Sequence, residues 1–351
     1  MIDTAGAAMV TRPLPGDMYA ALKKLNPKTA VSSQLHELVM AGLDAVPLPG
    51  TGNTLQRWQT LAIVAEHSLS LAKLYEGHTD ALAILAELER PFMPFIGATW
   101  GVWAAESANL RVIIQPSNGA TVTLDGTKCW CSGAETLSHG LLTAWYADGR
   151  GPQLVRVAMH QPGVSVSSEE WVAVGMAASA SVDVTFSQVD AHLVGNVGEY
   201  LSRPGFWQGG AGVAACWYGG ARVVGATLHD ALCDLATSER NVFRMSALGK
   251  VDLALQSTAT LLRDAAQWID NNPSADASEV ALRVRLAAEG CAMQVLDEAG
   301  RALGAAAFCR NARFAGAAAD LPVFVRQSHA ERDFVALAER ITSSRNTPWL
   351  L

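Results

Sequence analysis

The sequence TVTLDGTKCWCSGA occupies residues 121–134 and lies between two long helical regions. β-Branched and aromatic residues are frequent on both sides of Asp125-Gly126, a pair that supplies the positive φ of a two-residue turn. The stretch therefore predicts a β-hairpin with strands at residues 121–124 and 127–130. Similar short segments between residues 96 and 195, with no helical pattern between them, predict a small antiparallel barrel or sandwich.

Apolar residues recur at helical spacing on both sides of these segments. Residues 31–95 carry leucine and alanine at intervals of three and four, and residues 206–343 return to the same pattern. In the second region Asn271-Asn272-Pro273 ends one helix, and residues 277–303 and 321–341 predict two more. We therefore predict an α+β fold with a helical N-terminal domain, a small antiparallel β-barrel middle domain and a C-terminal antiparallel four-helix bundle. These domains are expected at residues 1–95, 96–198 and 199–351.

The composition limits the classes of function. Charged residues make up 17% of the chain and hydrophobic residues 50%, and the formal net charge is −7. An acidic chain lacks the basic face that nucleic-acid binding requires, and a disordered chain would be far less hydrophobic. Residues 210–228 are long enough to cross a membrane, but they contain Arg222 and five glycines and are better explained as a buried helix. We expect a cytoplasmic protein without a membrane span.

Several polar or small-residue patterns have simpler explanations than a functional site. Residues 210–215 fit the dinucleotide pattern G-x-G-x-x-A, but no strand precedes them, so close packing of helices explains them. Cys129 and Cys131 share one face of a strand without evident partner ligands, so no metal site is expected. His78 lies in an apolar helix, where a core or capping role is the default. The polar cluster at residues 326–333 is typical of a solvated helix face.

The strand KCWCSGA (residues 128–134), the order of helices, strands and helices, and the run ATSERNVF (residues 236–243) resemble the acyl-CoA dehydrogenase family. The resemblance extends from residue 34 to residue 341. The family motif G-x-K-x-W-I-T-N is matched by Gly126, Lys128, Trp130 and Ser132. The motifs E-R-x-x-F-G, Q-x-F-G-G-x-G-F and R-D are matched in part at residues 239–244, 301–308 and 319–320.

This resemblance implies bound FAD and gives roles to individual residues. Trp130 would pack along the isoalloxazine ring, and Ser132 would hydrogen-bond the flavin near N5, where the hydride arrives. Arg240 would pair with the pyrophosphate, which in the family belongs to the flavin of the neighbouring subunit. Gly304 would let the backbone approach the adenosine half closely. The other implied cofactor-binding residues are Val102, Trp103 and Ala104, through their backbone, and Phe243 and Arg301.

The resemblance also implies an activity, the oxidation of an acyl thioester by α-proton abstraction and β-hydride transfer to FAD. The proton must be taken by a positioned base. The usual glutamate, eight residues after the aspartate matched by Asp320, is replaced by Ser328, which His329 follows. Other members carry the glutamate on the first helix of the bundle, but residues 214–216 contain no acid. The candidate catalytic residues are therefore Ser328, His329 and, one helical turn further, Glu331.

The predicted function is that of an acyl-CoA dehydrogenase-like flavoprotein oxidoreductase whose base is relocated or lost. Its substrate would be an acyl thioester, in the first instance acyl-CoA, or another small apolar molecule. The chain would form a homodimer or a homotetramer. Two alternatives stay open: a flavin-dependent monooxygenase of the same fold, in which His329 takes part, and a non-catalytic protein that binds flavin or an acyl ligand.

Overall fold

Helices precede and follow the strands, in the order that the sequence predicts. The computed structural model describes residues 12–89, 95–115, 119–236, 241–343 and 349. The helices before the strands are α1 (Pro15–Leu22), α2 (Val31–Met40), α3 (Thr54–His67) and α4 (Leu69–Leu88). Ser68 separates α3 from α4, because its hydroxyl accepts a hydrogen bond from the Leu71 N–H (3.2 Å) and caps α4. The two helices turn there and pack against each other.

The middle of the chain forms a small closed barrel. Its strands are β1 (Trp100–Trp103), β2 (Val112–Gln115), β3 (Thr121–Ser132), β4 (His139–Tyr146), β5 (Gln153–Ala158), β6 (Val164–Ser167) and β7 (Ser181–Val194). β4, β2, β3, β7 and β5 follow one another in the sheet, and β5 pairs again with β4. The barrel is confirmed, but the expected antiparallel pairing is wrong at two places, since β4 runs parallel to both β1 and β2. The chain between these strands is long enough for the crossover that parallel neighbours require.

The predicted hairpin at residues 121–130 is wrong. Thr121–Ser132 is one strand, β3, which pairs along its length with β7. Gly126 has a positive φ of 116°, which a hairpin also requires, but here it lies where the register with β7 shifts and a bulge forms. Asp125 accepts a hydrogen bond from the Gln188 N–H (2.8 Å) of β7 instead of closing a turn. The long partner strand therefore selects one of two structures that an Asp-Gly pair allows.

The chain after β7 is helical. The helices are α5 (Glu199–Ser202), α6 (Gly205–Gly210), α7 (Val213–Cys233), α8 (Val242–Asn271), α9 (Ser278–Leu303), α10 (Ala305–Arg310), α11 (Ala312–Phe324) and α12 (Glu331–Ser343). α7, α8 and α9 pack against one another, while α11 packs against α7 and α12 against α9. α8 ends at Asn271, where the sequence predicts a helix end. No helix among the described residues is long and apolar enough to cross a membrane.

The single helix predicted at residues 321–341 is wrong. α11 ends at Phe324, a short 3-10 turn follows, and α12 begins at Glu331. The Asp333 carboxylate spans the break, where it accepts a hydrogen bond from the His329 N–H (3.1 Å). Bonds of this kind between a side chain and the backbone compete with helix formation. Apolar spacing alone does not reveal them, which is why the pattern predicts a continuous helix.

α7 lies very close to three neighbouring helices, because glycines face them. A Cβ atom on Gly219 would stand 2.3 Å from the Ala62 carbonyl oxygen of α3. A Cβ atom on Gly220 would stand 2.8 Å from side-chain carbons of both Leu69 and Leu321. Backbone contacts this close require small residues at the interface. Gly219 and Gly220 in the middle of α7 therefore serve packing.

Candidate functional site

Trp130 occupies an unusual position near the end of β3. It lies in a second bulge, between Lys128 and Cys131, and has a positive φ of 63°. Its large apolar side chain is 63% exposed. Such a conformation in a non-glycine residue costs about 1–3 kcal/mol, persists only where the surroundings enforce it, and is concentrated at functional sites. An exposed and strained tryptophan therefore indicates a binding surface.

Serine side chains form a row next to this bulge. Ser132 ends β3 and Ser181 begins β7, and their hydroxyl oxygens are 2.7 Å apart. The Ser181 hydroxyl is also 3.4 Å from that of Ser179, which donates to the Met176 carbonyl oxygen (2.8 Å). A hydroxyl both donates and accepts hydrogen bonds. The row can therefore bond a polar ligand atom by rotating its hydroxyl hydrogens.

Trp103 fills the barrel beneath these serines. Its side chain is buried, and the indole Nε1 donates to the Ser132 carbonyl oxygen (3.1 Å). The ring covers Gly140, where an added Cβ atom would stand 2.2 Å from it. Val102 and Ala104 on either side are partly buried. Because the Trp103 side chain belongs to the barrel core, only the backbone of this segment is available to a ligand.

An ion pair between buried Lys128 and exposed Glu106 braces the same bulge. Lys128 is buried, and its Nζ donates to Glu106 (2.9 Å) and to the Thr143 hydroxyl (2.7 Å). Glu106 also accepts hydrogen bonds from Thr143 and from the Trp145 indole N–H (3.0 Å). Burial acts to raise the pKa of Glu106, but the hydrogen bonds from Thr143 and Lys128 outweigh it and lower the pKa. Glu106 is absent from the predicted site residues, since no sequence spacing links it to Lys128.

The three predicted catalytic residues lie together at the start of α12. Ser328 is buried; its hydroxyl donates to Asp333 (3.4 Å) and accepts from the Ala330 N–H (3.2 Å). The His329 Nδ1 lies 3.3 Å from the Asp333 carboxylate, and the His329 side chain is 67% exposed. Glu331 is exposed in the first turn of α12. Ser328 and Asp333 therefore bridge the helix break, while His329 and Glu331 face outward.

One side of α4 is charged, although this helix packs in the core. Lys73, Glu76 and Asp80 follow one another at intervals of three and four residues, which places them on one face. Gly77 lies on the same side of the helix, and a Cβ atom on it would stand 3.8 Å from the Val102 nitrogen in β1. The charged face therefore lies beside β1. None of these residues is among the predicted site residues, although their spacing could have revealed the face.

Two arginines from other helices, buried Arg57 and half-buried Arg285, approach the same face. Arg57 of α3 donates to the Thr79 hydroxyl (3.3 Å), and Arg285 of α9 donates to the Gln327 carbonyl oxygen (3.0 Å). Burial lowers the pKa of both arginines, although the Glu76 charge acts in the opposite direction. Burial also raises the pKa of Glu76, and the nearby cations offset this only in part. The structure thus concentrates ionisable groups between α3, α4 and α9.

The remaining predicted cofactor-binding residues lie in the C-terminal helices. Phe243 is exposed at the start of α8. Arg301, near the end of α9, forms an ion pair with Asp297 (3.1 Å), and Gly304 has a positive φ of 69° where α9 passes into α10. Arg240 lies outside the described residues. No group of described side chains could hold a metal ion.

Comparisons with known proteins identify relatives by structure only. No protein-family model matches the chain, and no curated protein matches it significantly by sequence. Butyryl-CoA dehydrogenase from Megasphaera elsdenii is similar, with a TM-score of 0.78 and 15% identity over 97% of this chain and 100% of that one. KijD3 in complex with FMN and a dTDP-linked amino sugar gives a TM-score of 0.77 and 16% identity over 95% of this chain and 93% of that one. Dibenzothiophene monooxygenase from a Paenibacillus species gives a TM-score of 0.72 and 17% identity over 94% of this chain and 98% of that one.

Proposed function

We propose that this chain, which has the acyl-CoA dehydrogenase fold that its motifs resemble, is a flavin-dependent oxidoreductase. The observation that carries the proposal is Trp130, held in a strained conformation with most of its side chain exposed. Such an aromatic face suits the planar ring of a flavin. The Ser132 and Ser181 hydroxyls can bond the polar edge of the ring. When bound, a flavin supplies a hydride acceptor or, in reduced form, a partner for oxygen.

FAD is the form of flavin that we propose. The family resemblance implies it, and Arg301 and Gly304 would contact its adenosine half. KijD3, which is similar in structure, holds FMN instead. Binding of FAD and FMN to the same preparation, measured by fluorescence quenching of the flavin, separates the two. An Arg301→Ala variant should weaken the binding of FAD and leave that of FMN unchanged.

The visible spectrum of the purified protein, before and after addition of FAD, tests whether a flavin binds at all. Stacking on an aromatic ring is worth about 1–3 kcal/mol, so Trp130→Ala should raise the Kd by about tenfold or more. Ser132→Ala should weaken binding or slow flavin reduction. Trp349→Ala is the matched control, because Trp349 is also an exposed tryptophan with a positive φ. A wild-type protein that stays colourless, or a Trp130→Ala variant with unchanged Kd, overturns the assignment.

The reaction that we propose is oxidation of an acyl thioester, with acyl-CoA as the first candidate. Among the three candidates, His329 and Glu331 suit the role of base better than Ser328, because an imidazole or a carboxylate accepts a proton more readily than a hydroxyl that donates to Asp333. His329 and Glu331 are exposed nearby. Anaerobic mixing with a panel of acyl-CoA compounds should bleach the flavin absorbance of the holoprotein. A His329→Ala variant that keeps full turnover would remove His329 as the base.

A flavin-dependent monooxygenase is the second candidate. It is favoured by the pairing of His329 with Asp333 (3.3 Å) in a chain that lacks the usual glutamate. The dibenzothiophene monooxygenase shares the fold. Oxygen-dependent turnover with reduced flavin, giving a hydroxylated product, would identify this activity. Anaerobic bleaching by a thioester would instead identify the dehydrogenase.

We also propose that two or four copies of the chain associate through α8 and α9. Val242, Phe243 and Leu253 are apolar and exposed on α8. Leu253 also borders a shallow groove of about 360 Å³ between α8 and α9. A charge at the centre of such a surface opposes association, so Leu253→Glu should shift the sedimentation coefficient to that of a monomer. An unchanged coefficient would exclude this face.

A further inference from the structure

The resemblance places a catalytic glutamate either on α7 or at position 328, beside the surface of Trp130 and Ser132 where we propose that the flavin binds. Neither position carries one. α7 contains a single acid, Asp230, in its last turn, while its first ten residues contain none. Ser328 occupies the other position that the resemblance assigns to a glutamate. Thioester oxidation needs a group that accepts a proton beside the flavin. A third element must supply that group if the proposed reaction takes place.

Glu76 of α4 approaches the start of α7 from the opposite side. α4 packs against α7, and among the charges around the Cys216 thiol that of Glu76 has the largest effect. Residue 216 lies in the segment where the resemblance places the alternative glutamate. Gly77, next to Glu76, lies against the Val102 backbone in β1. Glu76 is half-buried between these elements.

We propose that Glu76 is the proton acceptor of this site and replaces the carboxylate that α7 and position 328 lack. The inference rests on the proposed function, because it assigns the base of thioester oxidation. The bond that breaks is the C–H bond next to the thioester carbonyl. The proton forms an O–H bond with a Glu76 carboxylate oxygen, and the electron pair stays on the substrate as an enolate.

The surroundings of Glu76 suit a group that exchanges protons. The charged and titratable groups that face it are Lys73 and Asp80 on α4, Arg57 on α3, Tyr200 on α5, Cys216 on α7 and Arg285 on α9. Burial raises the pKa of Glu76 above its ordinary value, which makes the carboxylate a stronger base. Arg285 is held by the Gly210 carbonyl oxygen (2.9 Å) as well as by Gln327, so its charge stays near the carboxylate.

Trp217 provides an independent sign of a ligand in this region. It is buried in α7, and its indole N–H has no hydrogen-bond partner among the described residues. The Arg285 guanidinium lies over its ring, 5.4 Å from the centroid. A buried donor without a partner costs about 1–3 kcal/mol. A hydrogen-bond acceptor on a ligand bound beside α7 would satisfy it.

Enolate formation from acetoacetyl-CoA tests the role of Glu76 without turnover. The protons between its two carbonyls are acidic, and the enolate absorbs in the near ultraviolet. The difference spectrum is recorded from pH 5 to 9 for the holoprotein and its variants, with flavin content measured in parallel. General bases contribute about 10²–10⁴-fold, so the difference spectrum of Glu76→Gln should develop at least about 100-fold more slowly, with unchanged flavin content. Glu76→Asp should recover part of the loss, and Glu37→Gln, at an exposed position on α2, is the control.

A second measurement keeps the test decisive if acetoacetyl-CoA binds weakly. The flavin absorbance of the holoprotein is followed as a function of pH, and Glu76→Gln should change its pH dependence while Glu37→Gln should leave it as in the wild type. A coloured wild-type protein in which Glu76→Gln changes neither measurement overturns the role of Glu76 alone. A wild-type protein without flavin overturns the proposed function, and the role of Glu76 falls with it.

Discussion

Replacement of Gly219 by alanine tests the close contact between α7 and α3. The added Cβ atom would lie 2.3 Å from the Ala62 carbonyl oxygen and 2.9 Å from the Ala62 Cα. Because the obstacle is backbone, no side chain can rotate away and the helices must separate. Overpacking costs about 1–3 kcal/mol, and alanine in place of a helical glycine returns about 0.5–1 kcal/mol. The net loss is about 1–2 kcal/mol, which lowers the Tm of a 351-residue chain by about 1–3 °C.

The matched control for this change is Gly249→Ala in α8. No atom lies within 4 Å of a Cβ atom at Gly249, so only the gain in helix propensity remains. This variant should therefore raise the Tm by about 1 °C. Thermal unfolding of both variants and the wild type, followed by circular dichroism at one protein concentration, gives the comparison. A Tm for Gly219→Ala equal to or above the wild-type value would refute the close packing of α7.

Two further changes test the contacts that join the strands to the helices. His78→Ala should lower the unfolding free energy by about 3 kcal/mol or more in a urea titration, because the buried ring accepts from the Trp100 N–H (3.2 Å) and bonds Asp44 (3.1 Å); a loss below about 1 kcal/mol would contradict this. The Asp320 carboxylate accepts a hydrogen bond from the Met176 N–H (2.5 Å), and burial raises its pKa. The native state therefore keeps the Asp320 proton to a higher pH than the unfolded chain does. Stability falls as the pH rises from the unfolded to the native pKa. Asp320→Asn should make the urea midpoint of unfolding less dependent on pH between pH 4 and 7. An unchanged pH dependence would show that Asp320 does not cause it.

The candidate site could be predicted only in part. Trp130 and Ser132 follow from a local motif, and the structure places them side by side at the end of β3. Whether they bind a flavin stays a prediction. Glu76 could not be assigned a role from the sequence, because its importance depends on packing against α7 and β1. The spacing of charges along α4 shows that one face is polar, but it does not show what that face meets.

Local features of the sequence determined the order and type of the elements. Apolar spacing gave the helices on both sides of the barrel, and Asn271-Asn272-Pro273 marked the end of α8, because periodicity and end signals act within a few residues. Only the tertiary structure decided that Gly126 forms a bulge in β3 and that the last predicted helix breaks near Ser328. The first depends on pairing with β7 and the second on Arg285 of α9, which donates to the Gln327 carbonyl oxygen at the break. The placement of Glu76 beside α7 has the same origin, since contacts between distant segments leave no trace in local spacing.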